Sequence, residues 1–340
     1  MSFKIDGVEK RIGLALSGGG FRAAAFHLGV LRRLQSLNLL DKLDLLSCVS
    51  GGSIAGGTLA VNWGDPACLD KLESYLRTRS IAVASVVAGV FDPFETRLDK
   101  LAGSYDRDLF QGKTLSSLRG GPRIYFNSTN LATGNMFFFV AGGGKAEEMG
   151  EHELGVVPAP DFPISRAVAA SSAFPPVFPP LRLSASDYPP GASVEYVTLT
   201  DGGVYDNMGV NPLLRTERNP LDYLIISDGG KPFALDEHPT ESGAVVLKAS
   251  LNIMMEQIRG LEFDRIQHRH LAGKGARPLW FSINSLEGES QPGDSTFASA
   301  ISTNLKKLND AEMNVLVRHG GSLLGSRIDK YAPELAAVAA

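Results

Sequence analysis

Between Leu45 and Gly57 the chain reads Leu-Leu-Ser-Cys-Val-Ser-Gly-Gly-Ser-Ile-Ala-Gly-Gly: an apolar, strand-forming run enters a cluster of small residues and a helix-compatible segment follows. A strand, tight turn and helix in that order can hold a serine strained and exposed at the end of a sheet. Glycines beside it remove the Cβ atoms that would meet the facing backbone. Ser53 sits where the helix would begin, so unsatisfied N–H groups and the positive end of the helix dipole favour an oxyanion nearby. The same stretch fits a plain turn with Ser53 as helix N-cap equally well. A related turn lies upstream. Residues 12–16 read as a short buried strand, Ser17-Gly18-Gly19-Gly20 as a turn, and Ala24, Leu28, Leu31 and Leu34 recur at helical spacing before the strand at 43–49. Such a βαβ unit makes the two strands parallel neighbours with both turns at one sheet edge. The glycine turn and Ser53 should therefore meet.

Downstream the alternation continues. The pattern predicts a helix over 69–79, strands over 123–130 and 137–140, and a small-residue helix over 164–173 that the prolines after Phe174 stop. Two strands end alike: 196–200 runs into Asp201-Gly202-Gly203, and 221–227 into Asp228-Gly229-Gly230. Segments 141–161 and 182–195 read as surface loops. Leu247, Leu251, Met254, Ile258 and Leu261 step by four and three, marking an amphipathic helix whose stripe is most simply core packing, with lipid contact the alternative. A last strand is expected over 279–283 and a last helix over 302–317. No clean boundary divides the chain, so one α/β domain is expected over 1–340, with the motifs in about 11–230 and helical and loop additions over 231–340.

Charge and cysteine content exclude several classes. Thirty-three basic against 37 acidic residues leave a formal net charge of −4, with no electrostatic case for nucleic acid. Cys48 and Cys68, the only cysteines, are too few for a disulfide framework or a Cys-based zinc site and suit a reducing compartment. No His-x-x-x-His pair suggests a metal. The first eleven residues lack an apolar stretch of signal-peptide length, and the longest apolar run, 81–91, is shorter than the ~20 residues that cross a bilayer. That run reads as a buried helix or an interfacial segment, and a cytoplasmic location is expected, with non-classical export left open.

The glycine turn admits three chemical readings. Gly18, Gly20 and Ala23 occupy the places of a dinucleotide fingerprint, with Asp41 or Asp44 as its acid, though the match is weak. A phosphate loop would need a Gly-Lys-Ser/Thr ending, which is absent. The third is an oxyanion hole of consecutive glycine amides, with Arg22 holding the turn or adding positive charge near an anionic head group. A serine nucleophile needs a base. Asp201 fits the place, but an ordinary Asp, with a pKa near 3.9, is a poor base at neutral pH unless burial or hydrogen bonding compensates. Asp228 has the same local pattern. A Ser-His-Asp triad would draw its histidine from His238, His268, His270 or His319, none with a local signature; His27 and His152 precede Asp201 and suit it less.

Taken together, Gly18-Gly19-Gly20-Phe21-Arg22, Gly51-Gly52-Ser53-Ile54-Ala55 and Asp201-Gly202-Gly203 resemble, in this order, the motifs of the patatin-like phospholipase family. Ala170-Ser171-Ser172-Ala173-Phe174-Pro175-Pro176 and Tyr205-Asp206-Asn207-Met208-Gly209-Val210 look like further blocks of it. The resemblance implies a three-layer α/β/α fold around a central, mostly parallel sheet. It also implies hydrolysis of fatty-acyl esters by a Ser-Asp dyad without histidine, metal or other cofactor. Ser53 then carries over as nucleophile, Asp201 as base, Gly18, Gly19 and Gly20 as oxyanion donors, and Arg22 as the basic position of the glycine motif. The Tyr205-Asp206-Asn207 context favours Asp201 over Asp228. Ala23 and Ala55 stand where the family pattern usually has glycine. The implied partner is a lipid or phospholipid, with transient membrane-surface contact. The alternatives are a catalytically inactive lipid-binding member of the fold and a general carboxylesterase with a Ser-His-Asp triad.

Overall fold

The computed structural model describes residues 3–81, 97–188, 194–233 and 242–337. Of the apolar run 81–91 only Ile81 is among them, so the reading of that run falls outside the described residues, as does part of the expected loop 182–195. A hairpin of β1 (Phe3–Ile5) and β2 (Val8–Lys10) precedes β3 (Ile12–Leu16). The uninterrupted run Ile-Gly-Leu-Ala-Leu suits a strand covered on both faces, and every residue of β3 is buried. α1 (Gly20–Ser36), β4 (Leu43–Cys48) and α2 (Gly51–Val61) complete the expected unit, with β3 and β4 parallel.

α3 (Cys68–Thr78) and α4 (Arg97–Tyr105) lead to β5 (Arg123–Asn130), β6 (Met136–Ala141), β7 (Glu148–Glu151) and β8 (Gly155–Pro158). Next come α5 (Ile164–Ser171), β9 (Leu181–Leu183), β10 (Val197–Asp201) and the single turn α6 (Gly203–Asp206). β11 (Tyr223–Asp228), α7 (Gly243–Leu271), β12 (Arg277–Ser282), α8 (Asp294–Ala300), α9 (Asp310–Tyr331) and α10 (Pro333–Ala337) follow.

The sheet runs β12-β11-β3-β4-β5-β6-β7-β8. Its first five strands are parallel, and β6, β7 and β8 extend it as antiparallel hairpins. Side chains alternate across it, as strand geometry requires. Leu46 and Ile225 join the main core with α1, α2, α3, α5 and α9, while Leu45, Leu224 and Ile226 meet residues 208–214 and Ile266 of α7 on the other face.

One detail of the topology sets up everything at the site. β4 stops beside β5 at the pair Cys48–Phe126. β10 runs antiparallel along the same flank of β5 and stops at Asp201–Ser128, since β6 holds the other flank. The two strand ends face one another across Asn127.

Three expectations are corrected. Residues 141–161 are not a plain loop but contain β7 and β8, four residues each and too short for a periodic signal. The helix expected from 302 begins at Asp310, because Asn309 and Glu312 form a reciprocal capping box in which each side chain accepts the other's N–H at 2.9 Å, and a short further helix, α10, follows it. The stripe of α7 is not core: Leu247, Met254 and Leu261 face outward.

α1 and α9 cross closely. A Cβ on Gly29 would lie 2.0 Å from the Val317 carbonyl oxygen. Gly29→Ala is expected to destabilise the fold by ~1–3 kcal/mol, read as a lower urea midpoint, because backbone cannot move aside as a side chain can. An unchanged midpoint would refute this close crossing.

Candidate active site

The turn after β4 is a strained elbow. The Val49 N–H donates to the Leu16 carbonyl at 3.0 Å, and the chain then reverses at Ser50, whose φ of 52° and ψ of −115° are left-handed for a residue with a side chain. Such a conformation costs on the order of 1–3 kcal/mol and persists only where its surroundings over-determine it. Here they do. The Ser50 N–H donates to Ser171 Oγ at 3.0 Å, and the Gly52 N–H donates to the Ser17 carbonyl at 3.1 Å. A Cβ on Gly52 would lie 2.0 Å from the Leu16 oxygen, and one on Gly51 2.2 Å from the Gly20 oxygen. Only glycines let the two turns approach this closely.

Ser53, the expected nucleophile, lies inside α2 with no exposed surface, its Oγ 2.8 Å from Ser171 Oγ. Ser50 is partly exposed and is the serine that meets Asp201. The correction is one of frame. Cys48-Val49-Ser50-Gly51-Gly52 places the serine at the first reversal after the strand and a glycine at the closing position, with Cys48 where a glycine usually stands. The signal was available: a strained elbow belongs at the strand's end, whereas Ser53 is nearly a full helical turn beyond it. Ala23 and Ala55 lie in α1 and α2 and are not among the described left-handed residues, so neither needs glycine's freedom.

Asp201 closes β10 with 2% of its surface exposed. Its Oδ1 accepts the Gly203 N–H at 2.7 Å, and its Oδ2 has no full hydrogen bond among the described residues. Burial pushes its pKa up to about 7, against the Gly203 N–H and the Ser50 hydroxyl, which both favour the charged form. Asp228 differs despite its matching sequence. Its Oδ2 accepts from Arg259 at 3.4 Å, so a half-buried cationic partner opposes the burial that raises its pKa. The Ser171–Ala173 block lies under both halves of the site. Ser171 O accepts from Gly202 N–H at 3.3 Å, and Ala173 O accepts from Asp201 N–H at 3.1 Å.

Opposite Ser50 lies the glycine turn, with Gly19 at φ 141° and Gly20 at φ 62°. A Cβ on Gly18 would sit 3.3 Å from Ser50 Cβ. Gly18 N–H is already committed to the Asn207 carbonyl at 3.0 Å, whereas the amides of Gly19, Gly20 and Gly51 meet no acceptor among the described residues. Arg22 is fully buried and donates to Ile301 O at 2.9 Å and Gly229 O at 3.1 Å. It ties the turn to the neighbouring loops rather than reaching toward a head group, and burial lowers its pKa to about 10.

No described histidine completes a triad. His27 bonds to Ser227 Oγ and Ser17 O, His319 to Ile283 O, and His268 to Asp264 O, while His238 lies outside the described residues. Asp44 accepts the Ile12 N–H at 2.8 Å and Asp41 pairs with Lys42 at 2.6 Å, both at the opposite sheet edge from the glycine turn, which removes the acid from the dinucleotide reading. No cluster of three metal-ligating side chains, and no helix long and apolar enough to cross a membrane, occurs among the described residues. A polar cavity of about 780 Å³ lies elsewhere, between Arg33, Gly288, Arg318 and Lys330.

The model of the family described as patatin-like phospholipase matches residues 14–214. Among solved structures, human GIVD cytosolic phospholipase A2 is similar over 97% of this chain and 60% of its own, with a TM-score of 0.64 and 15% identity. The same protein in complex with methyl gamma-linolenyl fluorophosphonate gives a TM-score of 0.58 and 16% identity over 97% and 59%. At these identities the likeness is one of fold, and this chain spans about three fifths of those solved chains. No curated protein matches it.

Because the Asp201 pKa is raised from 3.8 to about 7, the folded chain holds a proton there that the unfolded chain has lost, and stability falls as pH rises through that window. Asp201→Asn keeps the acceptor for Gly203 and removes the penalty. It is expected to exceed the parent by on the order of 4 kcal/mol at about pH 8 and to match it near pH 4, read from chemical denaturation at both. Equal differences at the two pH values would refute the raised pKa.

Proposed function

The chain belongs to the patatin-like phospholipase family, and on that premise we propose that it cleaves fatty-acyl esters of glycerophospholipids or lysophospholipids with Ser50 as nucleophile and Asp201 as base. Ser50 Oγ attacks the ester carbonyl carbon while Asp201 takes the hydroxyl proton. The carbonyl π electrons move to oxygen, where the amides of Gly19, Gly20 and Gly51 receive the developing charge. Collapse of the tetrahedral adduct breaks the bond to the lipid alcohol, which leaves with the proton from Asp201. Water then attacks the acyl-enzyme as Asp201 takes its proton. The fatty acid departs, and Ser50 recovers its hydrogen.

The observation that carries this reading is the facing of a strained, partly exposed serine and a buried carboxylate whose pKa is raised to about 7. A base of that pKa is deprotonated in useful amounts at neutral pH and still takes a proton readily. It answers the weakness of an ordinary Asp without recruiting histidine. Ser53 and Ser171 act as positioning residues: Ser53 Oγ bonds to Ser171 Oγ, which in turn accepts the Ser50 N–H.

A serine-reactive fluorophosphonate is expected to form its adduct on Ser50, located by mass spectrometry. Ser50→Ala and Asp201→Ala remove labelling, and Ser53→Ala slows it while leaving Ser50 as its target. An adduct on Ser53 would reinstate the original frame, and no adduct on a folded chain would favour a lipid-binding protein without turnover. For turnover, kcat/KM should fall about tenfold per pH unit below the Asp201 pKa of about 7, because the protonated acid accepts no proton. A flat profile from about pH 5 to 8 would remove Asp201 from the role of base.

A further inference from the structure

α7 presents to solvent what its periodicity assigns to a core. Leu247, Met254 and Leu261 are 70%, 61% and 69% exposed, and Val246 and Ile253 beside them 43% and 46%. At 3.6 residues per turn these five fall within an arc of about 120°. The other residues in that arc over 246–261, Ser250 and Gln257, carry no charge. Among the described charged side chains of that span, Arg259 bonds to Asp228 and to Glu256 on its own helix. Among the described side chains of α7, only Glu262 and Ile266 are buried, so the first half of the helix stands on the body without being packed into it.

Three observations select the occupant of this face. First, the arc is wider than a coiled-coil seam and includes the adjacent pairs Val246–Leu247 and Ile253–Met254, a shape that suits a fluid hydrocarbon surface better than one facing helix. Second, the helix is joined to the rim of the candidate site. Arg259 pairs with Asp228, and a Cβ on Gly19 would lie 2.8 Å from the carbonyl oxygen of neighbouring Gly229. Third, the last turn carries Arg269 between His268 and His270, beyond Asp264, so a basic side chain stands at one end of the apolar arc where an anionic lipid surface can meet it.

We propose that this outward face of α7 docks on a lipid bilayer and holds the rim of the site at the membrane surface. Its purpose rests on the lipid-hydrolase reading; its test does not. The Ser50→Ala chain, which cannot turn over lipid, is mixed with phosphatidylcholine vesicles with and without phosphatidylglycerol and floated on a density gradient. Binding is expected, strengthened by the anionic lipid. Leu247→Glu/Met254→Glu/Leu261→Glu in the same background should weaken it by at least about tenfold. Val8→Glu, 57% exposed on the hairpin at the opposite sheet edge, should not change it.

Circular dichroism checks that the triple variant folds. If it does not, Leu247→Glu and Leu261→Glu singly decide, each at an exposed position. The proposal is overturned if the parent does not float, if the folded α7 variants float undiminished, or if Val8→Glu weakens binding equally. It is also overturned if light scattering finds a dimer that the triple variant splits, because a second copy then covers the face. A chain that floats but takes no fluorophosphonate leaves this inference standing and removes the hydrolase reading instead.

Discussion

The left-handed backbone at Ser50 is the constraint on which the site depends. A residue with a Cβ does not hold φ 52° by its own preference, so the conformation has to be imposed by its neighbours. The imposing contacts come from four separate segments: the end of β3 through Leu16 and Ser17, the glycine turn through Gly20, α5 through Ser171, and the first turn of α2 itself. The stability of a large α/β core is thereby concentrated on one strained residue. The strain also points the Ser50 side chain out of the helix that follows, which is why Ser50 is partly exposed while Ser53, three residues on, is sealed against Ser171.

Strand topology then supplies the partner. Because β4 and β10 share one flank of β5 and run toward each other, both ends must stop near Asn127, and the residues just beyond them are forced together. That placement puts Asp201 in the protein interior, where losing water favours the neutral acid and brings its basicity into the neutral range. Asp228 shows what the arrangement avoids. Burial raises the Asp228 pKa as well, but there Arg259 lies against the carboxylate and opposes that rise, and the difference arises from a helix that is remote in sequence.

Much of this was legible in the chain itself. The parallel unit β3–α1–β4, the convergence of the two small-residue turns and the similar endings at Asp201 and Asp228 all follow from local patterns that tertiary contacts did not overrule. What was not legible shares one cause. Small residues carry little side-chain information, so a stretch containing Ser50, Gly51, Gly52 and Ser53 admits two frames three residues apart, and only the position of the strand end separates them. β7 and β8 were hidden for a related reason: strands of four residues with glycine at the bend offer too few positions for alternation to register.

The stripe of α7 marks a different limit. Periodicity reports that two sides of a helix differ, not what lies against either one. For α9, which lies against α1 at Gly29 and Gly320, the apolar side is satisfied within the chain. For α7, the sheet face beneath is already covered by Met208, Val210, Leu213 and Leu214, and of the described side chains of α7 Ile266 joins that cluster and Phe263 packs on Trp280 at its edge, so the stripe is not buried there as a whole. What remains outward, Val246, Leu247, Ile253, Met254 and Leu261, is an uncharged surface several turns long. Solvated apolar area of that extent is unfavourable in water unless something else in the working environment removes it. On the docking proposed for α7, in a family described as phospholipases, a lipid bilayer would be both the source of the ester and that cover.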